Sequence, residues 1–472
     1  MTETEFLPPT PTPKLWTTIR ESIAGSHRGE YTDGPIGRAI LLLAVPMVLE
    51  LVLESLFAVV DVFFVSRLGP DAIATVGLTE SMITIVYAVA IGLSVGAMAT
   101  VARRIGERDH DGAARAAVQA VILGILTSAP IALVGIVFGG SLLSLMGASD
   151  DVLQHAAFTR IMLGGNIVIV LLFLINAVFR GAGDAAVAMR VLWIASGLNI
   201  ILDPCFIFGL GPFPALGVTG AAVATTTGRG IGVLVQLLVL SRGGGRVAIR
   251  PKHIRVDPAV LLAMLRLSGS AVFQILVATS SWVGVVRIVA GFGSAALASC
   301  TIAIRVVIFA LLPSWGLSNA AATLVGQNLG AGKPERAEES VWRAANFNMV
   351  FLAVLGTLFV IFAPAIVSIF THDPGVAPVA TTGLRIISAG FPFYAYGYVL
   401  TQAFNGAGDT VTPTWINIGC LWLGEIPLAY VLGRIFGLGP AGAFWGVAIA
   451  FSVMSLISAA LFTTGSWKSK RV

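Results

Sequence analysis

Three carboxylates stand inside an apolar run long enough to cross a bilayer. Within residues 36–65, the segment PMVLELVLESLFAVVD (46–61) carries Glu50, Glu54 and Asp61. At about 100° per residue, Glu54 lies ~40° and Asp61 ~20° around a helix from Glu50, so the three line one narrow stripe. An acid at bilayer depth costs about 3 kcal/mol on insertion scales, so three on one face imply a function such as holding a proton, a small cation or a cationic substrate. A second constellation is NIILDP (199–204). Asn199 and Asp203 are four apart and share a helix face, while Pro204 has no N–H and frees the carbonyl of Ile200 one turn earlier. Thr225, in VATTTGRG, can add a hydroxyl. Carboxylate, amide, carbonyl and hydroxyl oxygens suit H⁺ or Na⁺ equally. Arg305 and Glu425 read as packing partners, and the isolated Cys205, Cys300 and Cys420 imply neither a disulfide nor a metal site.

Membrane-spanning helices must position these groups. Hydrophobic residues are 56% of the chain, charged residues 11%, and the mean hydropathy is +0.91. A soluble protein carries about a quarter charged residues, so the composition is that of a polytopic membrane protein. Apolar runs fall near 37–66, 73–102, 113–139, 152–179, 186–210, 217–241, 259–290, 295–325, 338–370, 377–405, 411–436 and 441–466, which makes twelve spans. With the N-terminus cytoplasmic, 21 of the 29 Lys and Arg fall on the cytoplasmic side and only Arg67 and Arg434 in the opposite loops. That asymmetry predicts a multi-pass protein of the cell (inner) membrane with both termini cytoplasmic, and it assigns the net charge of +5 to topology, not to nucleic-acid binding. TETEFLPPTPTPK (2–14) reads as a disordered tail, and Leu15, Trp16, Ile19 and Ile23 share the face of an expected helix lying on the membrane surface.

The chain repeats itself. FRGAGD (179–184) recurs as FNGAGD (404–409), FGLGP (208–212) as FGLGP (436–440), and LGPDAIAT (68–75) as FGSAALAS (292–299), at offsets of 224 to 228 residues. The fold class expected is all-α: two six-helix lobes related by a pseudo-two-fold axis along the membrane normal. The divisions are a cytoplasmic tail (1–36), an N-lobe (37–241), a basic linker (242–258), a C-lobe (259–466) and a cytoplasmic C-terminus (467–472). At the 224 offset, Glu50, Glu54 and Asp61 fall on Gln274, Ala278 and Val285, so the second lobe lacks the acidic stripe.

GPIGRAILLLAVPMVLELVLESLFAVVDVFFVSRLGPDAIATVGL, AVFRGAGD, LNIILDPCFIF, GVTGAAVAT and LVGQNLGAGKPERAEES together resemble the signature stretches of multidrug and toxic compound extrusion (MATE) transporters, from about Gly34 to the last span. The resemblance implies export of organic, cationic or amphiphilic compounds by alternating access, driven by inward H⁺ or Na⁺, with no other cofactor. It places the coupling site of the DinF-like and archaeal branch at Asp61, Asn199, Asp203 and Thr225, which would also be the Na⁺ ligands. The acidic positions of the other branch fall on Ala278 and Tyr394, so a second-lobe cation site is not expected. Glu50 and Glu54 stand where relatives carry amide or small polar residues, and are candidates for substrate binding or extra protonation. The expected partners are small organic molecules and the lipid bilayer, with the chain a monomer. A lipid or lipid-linked oligosaccharide flippase of the same superfamily is the alternative. A membrane-embedded enzyme is disfavoured, because no HExxH, GxSxG or P-loop is present and the loops are short.

Overall fold

The computed structural model describes residues 15–27 and 29–470, without the side chains of Ala58 and Val62. The expected disordered tail, and Lys14, Arg28 and Arg471 of the basic set, lie outside the described residues. The fold is all-helical, with no strand among the described residues. Among the described residues, eleven helices are long and apolar enough to cross a membrane: Ile36–Leu68, Pro70–Gly106, His110–Leu145, Ala156–Ala182, Ala185–Phe208, Val218–Arg242, Pro258–Ala290, Ser294–Gly330, Pro334–Ser368, Val411–Ile435 and Pro440–Thr463. The remaining span, tenth in order, is built from two helices, Ala377–Ala389 and Phe391–Ala407, that meet at Gly390. The fourth span divides in the same way at Gly165.

The internal repeat is visible in the backbone. FRGAGD and FNGAGD each end a helix on a left-handed glycine, Gly183 at φ 87° and Gly408 at φ 86°. A side chain is strained in that conformation, which explains why this motif survives in both halves. The lobes meet through spans 1 and 2 of one and spans 7 and 8 of the other. Contact is close because small residues face the partner: a Cβ on Gly96 would sit 2.4 Å from Ser268 Oγ. The face that carries the termini is tied across the lobes as well. Lys333 Nζ donates to Asp33 Oδ1 at 2.7 Å, and Arg103 Nη2 to the carbonyl of Lys470 at 2.5 Å.

The expected surface helix forms as Leu15–Ala24, with Trp16 76% exposed. Its buried face is polar: Thr18 and Ser22 turn inward, and Ser22 Oγ donates to the carbonyl of Leu42 at 2.8 Å. That carbonyl lies one turn before Pro46 in span 1, so it has no intrahelical N–H partner. A side chain from outside the helix therefore satisfies the break, as a bilayer requires.

Candidate functional site

Span 5 and span 6 build the best-defined polar cluster. Asn199, Asp203 and Thr225 are all buried, Asp203 completely at 0% exposed. With the Asn199 amide turned so that its nitrogen meets the carboxylate, it donates to Asp203 Oδ2 at 2.7 Å. Its oxygen then accepts from Thr225 N and Thr225 Oγ1, both at 3.0 Å. The spacing of four that sequence supplied is what stacks amide on carboxylate, while Gly228 lets span 6 approach. A Cβ there would lie 2.9 Å from the carbonyl of Ala195. The other carboxylate oxygen, Asp203 Oδ1, is buried with no hydrogen-bond partner.

Asp61 stands across from this cluster on span 1. It is half-buried, its Oδ1 has no hydrogen-bond partner, and it lies within electrostatic reach of Asp203. Glu54 lines a small cavity with Phe57, Ser196, Asn199 and Arg229. The structure thus brings Asp61, Asn199, Asp203, Thr225 and Glu54 to one region of the N-lobe.

Glu50 belongs to a different network. It is buried and accepts from Asn176 Nδ2 and Arg180 Nη1, both at 3.0 Å. Gln236 Nε2 in turn donates to Asn176 Oδ1 at 2.6 Å. The acidic stripe is therefore divided: Glu50 is held in an ion pair with the arginine of FRGAGD, Glu54 lines the cavity, and Asp61 lies within electrostatic reach of Asp203. At the repeat positions of Glu50 and Arg180 the C-lobe carries Gln274 and Asn405, so acid and base are replaced together by amides.

Sequence reasoning missed the cations. Arg229 lies one turn beyond Thr225, over the rings of Phe57 (5.8 Å) and Tyr87 (5.7 Å). It faces Glu54 and Asp61, and its Nη1 is buried with no hydrogen-bond partner. Glu80 of span 2 faces Asp61 and Arg305 of span 8, adding charge between the lobes. The available signal was the position of Arg229 four residues after a site threonine inside an apolar span. Among the described residues, no group of three or more His, Cys, Asp and Glu forms a metal cluster.

Known proteins extend this picture over the whole membrane region. The chain is 27% identical to the probable multidrug resistance protein NorM of Thermotoga maritima, over 96% of this chain and 98% of that protein. It is also 27% identical to an FAD transporter of Shewanella oneidensis, over 86% of this chain and 90% of that one. Among solved structures, a MATE transporter of the MOP superfamily in an outward-facing conformation superposes with a TM-score of 0.86 at 26% identity, covering 93% of this chain and 98% of that chain. A MOP superfamily transporter from Pyrococcus furiosus, described as having a binding pocket of reversed polarity, gives a TM-score of 0.85 at 27% identity over the same shares. The MatE family model matches residues 46–205 and 270–431, one segment in each lobe. With two homologous segments, twelve spans in two lobes and these relatives along nearly its full length, the chain belongs to the MatE family of membrane transporters.

Proposed function

We propose that the chain is a secondary active exporter that moves organic compounds out of the cell by alternating access, driven by inward H⁺ or Na⁺. The observation that carries this reading is the buried Asn199–Asp203–Thr225 cluster, with an unpartnered oxygen on Asp203 and another on Asp61 facing it. Two carboxylates in a low-dielectric pocket repel one another unless a cation joins them. Arrival of the coupling ion removes that repulsion and lets span 1 move against span 5. Pro46 is the natural place for it to bend. Substrate release on the opposite side follows, and no further cofactor is invoked. Relatives named for multidrug resistance and multidrug export support the export of organic compounds, here read as cationic or amphiphilic because Glu54 lines the cavity. The branch with its coupling acids in the first lobe is the one these positions fit. A monomer in the inner membrane, with both termini in the cytoplasm, completes the reading.

Arg229 favours a second reading of the substrate. A buried guanidinium with a free donor in the cavity suits an anionic or zwitterionic compound, and one relative is named an FAD transporter. The test is efflux from proteoliposomes under ΔpH and ΔNa⁺ imposed separately, with a cationic dye and with a flavin nucleotide. Asp61→Asn and Asp203→Asn should each abolish gradient-driven efflux while leaving expression intact. Wild-type efflux from either variant refutes the coupling site.

A further inference from the structure

The C-lobe holds a buried carboxylate that the coupling reading does not use. Glu425, in span 11, is 1% exposed. Ser281 Oγ of span 7 lies 2.6 Å from its Oε2, and its Oε1 is buried with no hydrogen-bond partner. The hydroxyls of Tyr394 and Tyr398, on span 10, lie within electrostatic reach, and that of Tyr394 is also buried without a partner. Among the described residues, no positive charge answers the acid. Span 12 carries no ionisable side chain, and the arginines of spans 7, 10 and 11 (Arg266, Arg287, Arg385 and Arg434) are all exposed.

The local backbone is also unusual. Residues Ile418–Glu425 form wide π-helical turns before Pro427, and the carbonyl of Leu421 accepts a second contact from Ser281 Oγ at 3.0 Å. Such turns recur at functional sites because they free backbone groups and re-aim side chains. By the internal repeat, NIILDP aligns with this stretch and Asp203 falls on Ile426, next to Glu425. Each lobe thus places one buried acid with an unpartnered oxygen just before a proline, in its fifth helix. Tyr398 meets Trp315 edge to face at 6.2 Å, and the neighbouring Gly316 abuts Val48 of span 1, so the pocket borders the interface between lobes.

We propose that Glu425 is a second proton-binding site, in the C-lobe, loaded and unloaded during the transport cycle. Glu425 has no second acid beside it, and no group of three or more His, Cys, Asp and Glu forms a metal cluster among the described residues, but a lone carboxylate can hold and release a proton. This also replaces the expectation that Glu425 is a packing partner. The inference rests on the cation-coupled reading above, and its test separates the two.

The full-length protein is reconstituted in lipid, and pH-difference infrared spectra are recorded in the region of protonated carboxyl groups. In the wild type, one component should titrate that is lost in Glu425→Gln and retained in Asp203→Asn. Ser281→Ala should shift the titration of that component without removing it, which keeps the test open if the glutamine variant fails to fold. In proteoliposomes, Glu425→Gln should lower the number of protons moved per substrate. A Glu425→Gln spectrum that superimposes on the wild type overturns the proposal. So does a component that stays protonated at every pH, or one that follows Na⁺ at fixed pH. Full efflux from Asp61→Asn would refute the N-lobe coupling site but leave these spectra unchanged.

Discussion

Arg180→Asn should damage the N-lobe, and Glu50→Gln in the same chain should repair it. The two side chains form an ion pair at 3.0 Å, 13% and 4% exposed, shared with Asn176. Removing one partner of a buried pair leaves an uncompensated charge, a loss of about 3–5 kcal/mol, whereas replacing both by neutral groups of similar size is close to neutral. The C-lobe has made that replacement, with Gln274 and Asn405 at the corresponding positions. Arg180→Asn alone is therefore expected to cost ~3 kcal/mol or more, and the double variant under about 1 kcal/mol, a coupling energy of at least ~2 kcal/mol. For a unit of about 200 residues, 1 kcal/mol moves Tm by roughly 2–4 °C, so the single variant should fall by about 6–12 °C and the double recover most of that. Thermal unfolding of the purified proteins, followed by tryptophan fluorescence, measures all three. A double variant less stable than Arg180→Asn would refute the reasoning, because Glu50 would then be held by something other than its charge partner. Gradient-driven efflux adds a second reading: a stable but inactive double variant would show that Glu50 takes part in transport.

Three further outcomes are expected. Arg229→Met, which removes the guanidinium while keeping an apolar stem, should strengthen uptake of a cationic dye and weaken that of an anionic substrate in competition assays, and equal effects on both would count against a charge role. Glu54→Gln should act in the opposite sense, weakening cationic substrates more than neutral ones. Ser22→Ala strips the outside partner from the Leu42 carbonyl before Pro46; it should lower stability by about 1–3 kcal/mol, the penalty of an unpaired buried polar group, and Ser22→Thr should restore it. Unchanged melting of Ser22→Ala would mean that the carbonyl is satisfied another way.

How far the chain could be read from its letters follows from which forces act locally. The spans, their number and the repeat were legible because a bilayer forces long apolar helices, and because left-handed glycines such as Gly183 and Gly408 tolerate no substitute. The tenth span was legible as one apolar run but folds as two helices at Gly390, since hydropathy does not register a break. Asn199 with Asp203 was legible from a spacing of four. The division of the acidic stripe was not. Glu50, Glu54 and Asp61 share a face of span 1, yet which cation meets each depends on Arg180 of span 4 and Arg229 of span 6, about 130 and 170 residues away in the chain. Helical periodicity says which residues travel together and is silent on what waits opposite.

That division bears on how the two lobes differ. The acid missing from the C-lobe at Glu50 takes its arginine with it, so this pair marks a change in how one lobe is held together. Asp61 has no such compensated loss: its counterpart Val285 is buried among apolar residues of the C-lobe, and Glu425 rises instead from the eleventh span. If both lobes must bind a cation to move, the N-lobe does so between two helices, spans 1 and 5, while the C-lobe does so within the reach of Ser281 and two tyrosines. In a carboxylate pair each charge opposes loss of the second proton, so its two protons leave in separated steps over a broad pH range, whereas a lone carboxylate titrates in one step. In pH-difference infrared spectra the carboxyl titration should therefore span two separated steps in Glu425→Gln, which keeps the pair, and lose one of them in Glu425→Gln combined with Asp203→Asn, which leaves Asp61 without its partner. Identical titrations in the two variants would show that Asp61 and Asp203 do not titrate as a pair.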